Sequence, residues 1–153
     1  MSFTFCFLLL FSVPDSNSIG LNPAFDLPET WGKDFTITIN RGGGMLAGTD
    51  EATFTYDSCK YSRRSGAKPR VGSFLLSESD RIEILKKMEE LHVNKIRSKT
   101  SLSTVYDKGS VSICFKANCI SDNGMYEVYQ EDKGQLNRAF DYLLSITENK
   151  RKK

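Results

Sequence analysis

The sequence predicts an α+β domain: an antiparallel sheet of four to five strands, in two hairpins, with two helices packed on one face in ββαββα order. Three observations carry this reading. Two stretches alternate apolar and polar residues around a glycine-rich connection, a third alternates further on, and two segments space apolar residues as a helix does. Alternation puts one side of a strand on the core. A stripe along a helix does the same for one helical face. Two such helices bury their stripes on one side of one sheet.

The elements follow in chain order. Phe35, Ile37 and Ile39 alternate with Thr36, Thr38 and Asn40, and Ala52, Phe54 and Tyr56 alternate with Thr53 and Thr55. Between them Arg41 to Asp50 reads RGGGMLAGTD, so the two strands form a hairpin. Residues 58–72 are polar, basic and glycine-bearing, which predicts a strand end and then an exposed loop. Ser77 and Asp80 have the spacing of a capping box. After them Ile82, Leu85, Met88 and Leu91 predict a helix over 78–91. Residues 93–97 predict a short strand and 98–104 a loop. Val111, Ile113, Phe115 and Ala117 alternate with Ser112, Cys114, Lys116 and Asn118. Ser121 to Gly124 is turn chemistry, and Met125 to Gln130 make the return strand. Asp132 and Gln135 open the second helix, with Leu136, Ala139, Phe140, Leu143, Leu144 and Thr147 on one face. The ββα unit occurs twice without a residue-level repeat.

The N-terminus sets the expected compartment. Residues 3–13 are an apolar run too short to span a bilayer, which takes about 20 residues. The run has the length of a signal-peptide core, and Ser16, Asn17 and Ser18 supply small residues for cleavage, though no Lys or Arg precedes it. The expectation is a signal peptide over 1–18, an extended lead-in over 19–33, one α+β domain over 34–149 and a basic tail over 150–153. Phe25, Leu27 and Trp31 of the lead-in are expected over the fold. The product would be secreted or periplasmic. Cleavage after Ser18 removes Cys6 and leaves Cys59, Cys114 and Cys119. An odd number permits at most one intramolecular disulfide and leaves one thiol. The pairing expected is Cys59 with Cys114 or Cys59 with Cys119, with no basis for choosing.

Composition excludes several functions. A chain of 153 residues predicts one domain. It buries roughly two thirds of its unfolded surface, so no metal is needed to hold it. With 21 Lys+Arg against 19 Asp+Glu, its charge is too small to argue for nucleic acid. His92 is the only histidine, which excludes a site of two imidazoles. It follows a helix C-terminus, where a partly charged imidazole suits the dipole. There is no Gly-x-Ser-x-Gly elbow. Cys114 and Cys119 lack a second pair of zinc-type ligands. The triple glycine lies between two strands and not before a helix, so it is not a phosphate cradle. No catalytic residue, metal or cofactor is expected.

The expected partner is another protein. Met45 and Leu46 are two large apolar residues in a polar connection, and glycines let a backbone approach closely. Arg41, Gly42, Gly43, Gly44, Met45 and Leu46 are therefore the candidate partner-binding residues. The tail Lys150 to Lys153 and the cations Arg63, Arg64, Lys68 and Arg70 allow a weak contact with a membrane or polyanion surface.

The strand followed by Gly43-Gly44-Met45-Leu46-Ala47-Gly48 resembles the start of emfourin-type proteins. Those proteins inhibit thermolysin-like metalloproteases and begin with a strand, a Gly-Gly-aromatic turn and a second strand. The later order of helix, two strands and leucine-rich helix, here Leu136 to Ile146, is similar too. The chain also resembles exported proteins of Bacteroidota with a Gly-Gly-Met hairpin and a Val-Tyr-Asp-Lys-Gly segment, here Val105 to Gly109. The pattern covers about 34–147. Met45 stands in place of the aromatic residue, and 58–73 is extra. The resemblance implies inhibition of a metalloprotease through the hairpin. The functional expectation is thus an exported, non-catalytic protein-binding domain. Its alternatives are a metalloprotease inhibitor and an envelope structural component.

Overall fold

Alternation and pairing together send most of the large apolar residues of six strands to one side of a single sheet. The computed structural model describes residues 24–151 apart from 45–47, 66–67 and 103–107. In chain order the elements are β1 (Ile37–Gly42), β2 (Gly48–Phe54), β3 (Ser58–Ser65), β4 (Pro69–Leu75), α1 (Glu78–Glu90), β5 (Ser98–Thr100), β6 (Ser110–Phe115), β7 (Asn118–Asp122), β8 (Tyr126–Val128) and α2 (Lys133–Arg151). The main sheet has the order β4-β3-β2-β1-β6-β7, and β5 and β8 form a separate ribbon. Every pair is antiparallel.

Register explains the core. Ile37 lies opposite Phe54 and Phe115, and Ile39 opposite Ala52 and Ile113. Phe54 lies opposite Cys59, and Ile113 opposite Ile120. These residues share one buried cluster with Ile84, Leu85 and Met88 of α1 and Leu136, Ala139, Phe140 and Leu143 of α2. Each buried Ile, Leu, Met or Phe among them stabilises the fold by about 1.5–3 kcal/mol relative to exposure. Trp31 joins them: it is buried, its Nε1 donates to the Phe35 carbonyl at 2.9 Å, and its ring meets Phe35 edge-on. Phe25 lies over Phe115 with ring centres 5.4 Å apart. The other side of the sheet is polar, with Thr38, Asn40, Glu51, Thr53, Ser62, Ser112 and Ser121.

Several expectations change. The sheet has six strands, because 58–72 is not a strand end and loop but most of the β3–β4 hairpin. The return strand does not run back along 111–118. That stretch turns at Lys116-Ala117, with Lys116 at φ +55°, into β6 and β7. β8 pairs instead with β5, in a stretch expected to be loop. Residues 93–97 hold a 3₁₀ turn, Val93–Lys95.

The Ser77 hydroxyl accepts from Asp80 N at 3.1 Å, and the Asp80 carboxylate accepts from Ser77 N at 2.9 Å, completing the capping box. The buried face of α1 is Ile84, Leu85 and Met88, while Ile82 is 61% exposed. A run of residues three apart drifts around a helix of about 3.6 residues per turn, leaving Ile82 and Leu91 on opposite sides. In α2 the buried residues are Leu136, Ala139, Phe140, Leu143 and Thr147, a stripe with mixed steps of three and four.

Candidate functional site

The predicted hairpin site divides in two. The Arg41 guanidinium pairs with Asp141 at 2.9 Å and lies 4.0 Å from the centre of the Phe140 ring, so it ties β1 to α2. Arg63 adds a second tie, pairing with Asp50 at 2.9 Å and reaching Glu148 of α2. Gly42 is buried, and its carbonyl accepts from the Ser110 hydroxyl at 2.9 Å. Gly43 and Gly44 are exposed with φ of +77° and +61°, a conformation that favours glycine. Met45 and Leu46, the expected anchors, lie outside the described residues. So do the signal segment 1–18, Cys6, Val105 to Asp107, and Lys152 and Lys153 of the tail.

The cysteines correct the expected pairing. Cys114 and Cys119 are disulfide-bonded, and Cys59 is a buried thiol. Cys114 and Cys119 stand directly opposite on β6 and β7, with Cα atoms 4.0 Å apart. Cys59 cannot reach either. It points into the core from β3, while Cys114 lies opposite Thr38 on the polar side. Two strands also intervene, roughly 14 Å at about 4.8 Å per strand, against a bonding limit near 7 Å. Burial pushes the Cys59 thiol up to about 12.

Other chemical groups are engaged in the fold. The Asp132 carboxylate accepts from the Arg97 backbone N–H at 3.0 Å and from Arg97 Nε at 2.8 Å. Those hydrogen bonds hold its pKa below the usual carboxylate range against the opposing effect of burial. Burial raises the Asp80 carboxyl, but hydrogen bonds from Ser77 and Lys150 outweigh it and leave it lowered. Lys150, counted with the basic tail, sits 2.9 Å from Asp80. His92 is exposed, with φ of +49°. Burial and nearby acids, Glu83 foremost, push the Tyr142 phenol up to about 12.

A cleft of about 740 Å³ separates residues 26–31 from α1. Asp26, Glu29, Glu78 and Glu89 line it, with Ile82 on one wall. Its Arg81 is already engaged: it donates to the Tyr56 carbonyl at 2.8 Å and stacks on the Tyr56 ring. Among the described residues no group of three His, Cys, Asp or Glu is placed to hold a metal, and no helix is long and apolar enough to cross a membrane.

The feature missed in the sequence is the edge strand β4. Leu76 N donates to the Asp57 carbonyl at 2.9 Å, which fixes the phase of the β3–β4 ladder. Antiparallel pairs alternate between bonded and non-bonded. Arg70, Gly72 and Phe74 therefore bond inward to β3, and Val71, Ser73 and Leu75 turn their N–H and C=O groups outward. The same three side chains lie on the polar side of the sheet, where Val71 is 74% and Leu75 80% exposed. The stretch Val71 to Leu75 has no charge. Proteins usually blunt an open edge with charge, proline or a bulge. Here Pro69 and Arg70 blunt only its first end. The opposite edge, β7, is flanked by the β5–β8 ribbon.

Charge differs between the ends of β4. Near its start Arg64, Lys68 and Arg70 are exposed and carry no ion pair among the described residues. Near its end Asp57 and Glu78 are exposed and likewise unpaired. The only signal in the sequence for this edge is Val71, Phe74 and Leu75 within a basic, glycine-bearing stretch.

No protein-family model, no curated protein and no solved structure matches this chain.

Proposed function

We propose that this chain is an exported, non-catalytic domain that binds protein through the open edge of its sheet. The observation that carries the reading is β4: outward backbone groups of Val71, Ser73 and Leu75 beside two strongly exposed apolar side chains. An extended segment of a partner can add to such an edge. Its main-chain hydrogen bonds supply affinity, and contacts to alternate side chains supply selectivity. Export is supported by the apolar run at 3–13 and by the Cys114–Cys119 disulfide, since disulfides persist in oxidising compartments.

The test is selection of displayed peptides on the purified chain and on a Ser73→Pro variant. Proline at residue 73 removes an outward donor and leaves the inward ladder intact. The expected result is a set of binders that lose the variant while both proteins melt alike. Binders that hold both proteins equally, or no binders at all, would remove the reading.

A second reading keeps the contact at the β1–β2 hairpin end and includes the metalloprotease inhibitor. It is favoured by the two exposed glycines above a base tied down by Arg41. Titration against a thermolysin-like protease tests it, with stoichiometric loss of activity expected. No inhibition across a panel of metalloproteases ends it.

A further inference from the structure

We infer that the segment completing β4 is the β4 of a second copy of this chain, paired antiparallel about a two-fold axis at Ser73. The inference rests on the reading of β4 as the binding edge and names its occupant.

Register selects the arrangement. Pairing through outward groups must match Val71, Ser73 and Leu75 with one another. Centring on Ser73 places Ser73 opposite its copy and Val71 opposite Leu75 of the second copy, and the reverse. Every outward N–H and C=O of the three residues then finds a partner. The two most exposed apolar side chains of the strand, Val71 and Leu75, cover each other. Centring on Gly72 is worse. It sets Leu75 opposite Pro69, which has no N–H to give, and Val71 opposite Ser73.

Charge agrees with the same register. Centring on Ser73 sets the start of each strand, next to Lys68, beside the end of the other, next to Glu78 at the head of α1. The end of the sheet that carries Arg64, Lys68 and Arg70 is thus brought towards the end that carries Asp57 and Glu78 in the second copy. A two-fold axis requires a self-complementary surface, and an edge basic at one end and acidic at the other is one when it pairs antiparallel.

Closure follows from the rest of the fold. An edge-to-edge contact grows into a fibre only when both edges of the sheet are free. Here β7 is flanked by the ribbon, so pairing at β4 stops at two copies. A single strand edge is a small interface, which points to a reversible dimer.

The experiment is sedimentation velocity on the purified full chain over roughly 1–500 μM, with Ser73→Pro, Lys68→Glu and the swap Lys68→Glu/Glu78→Lys. The expected result is a concentration-dependent dimer that weakens about tenfold or more in Ser73→Pro. It weakens several-fold in Lys68→Glu and recovers in the swap. Lys68→Glu changes an exposed side chain, so it reads the interface even where Ser73→Pro unfolds. A chain that stays monomeric throughout overturns the inference, and so does a dimer indifferent to Ser73→Pro and Lys68→Glu. A monomer that still selects edge-dependent peptides removes the second copy alone and leaves the binding edge standing. A monomer that selects none removes both.

Discussion

Tyr61 lies opposite Gly72 across β3 and β4, and its ring fills the space that a side chain at residue 72 would need. A Cβ there would lie 2.5 Å from the ring Cζ. The ring covers the glycine on the helix side of the sheet, with the Phe74 ring 6.4 Å away. Glycine weakens a strand, through chain entropy and the lack of a side chain to pack. In β4 that weakness is offset by the aromatic cover.

Gly72→Ala is therefore expected to destabilise the fold by about 1–3 kcal/mol, the usual cost of forcing an added methyl group into a packed site. The sign should change in a Tyr61→Ala background. There the added methyl has room and reduces chain entropy, for a gain of up to about 1 kcal/mol. Urea denaturation of the four proteins measures both steps. A Gly72→Ala penalty that is the same in both backgrounds would mean that Tyr61 is not its cause.

The Cys114–Cys119 bond has a direct chemical test. Trypsin cleaves after Lys116, between the two cysteines. Without reductant the two peptides should stay joined, and reduction should separate them. Closing so short a loop stabilises by about 2 kcal/mol in the chain-entropy account, so Cys114→Ser/Cys119→Ser should lose roughly that much.

Cys59 is expected to be silent in the native protein. Burial holds its thiol up to about 12, so near pH 8 almost no thiolate forms, and the core shields the sulfur. A thiol reagent at pH 8 should label residue 59 only after denaturant is added. Rapid labelling of the folded chain at this position would show that the core over β3 opens readily.

Asp132 should shape the acid side of the stability curve. The hydrogen bonds from Arg97 lower its folded pKa, so the unfolded state binds its proton more readily. Its contribution is complete above the ordinary carboxylate value near 4 and is lost as pH falls through the lower folded value. Asp132→Asn should lower stability at neutral pH and flatten the fall below about pH 4. Thermal melts from pH 7 to pH 2 compare the two. An unchanged acid slope would assign that slope to other carboxylates.

Elements deep in the core were legible because their patterns are local. Ile37 and Ile39 alternate within a few residues. Leu136, Ala139, Phe140 and Leu143 space themselves by helix geometry alone, and Ser77 with Asp80 carries its own cap. What escaped was set by partners distant in the chain. The edge strand β4 buries only one side, and glycine stands at residue 72 where Tyr61 supplies the bulk, so its alternation is faint. Ile82 matched a helical spacing, yet only the position of the sheet decides which face of α1 is buried. The cysteines mark the boundary most clearly. With Cys6 lost in the expected cleavage, three remain, and three permit only one internal disulfide. Which two join depends on the face of the sheet each side chain meets, and that is decided by strand register between segments the sequence keeps apart.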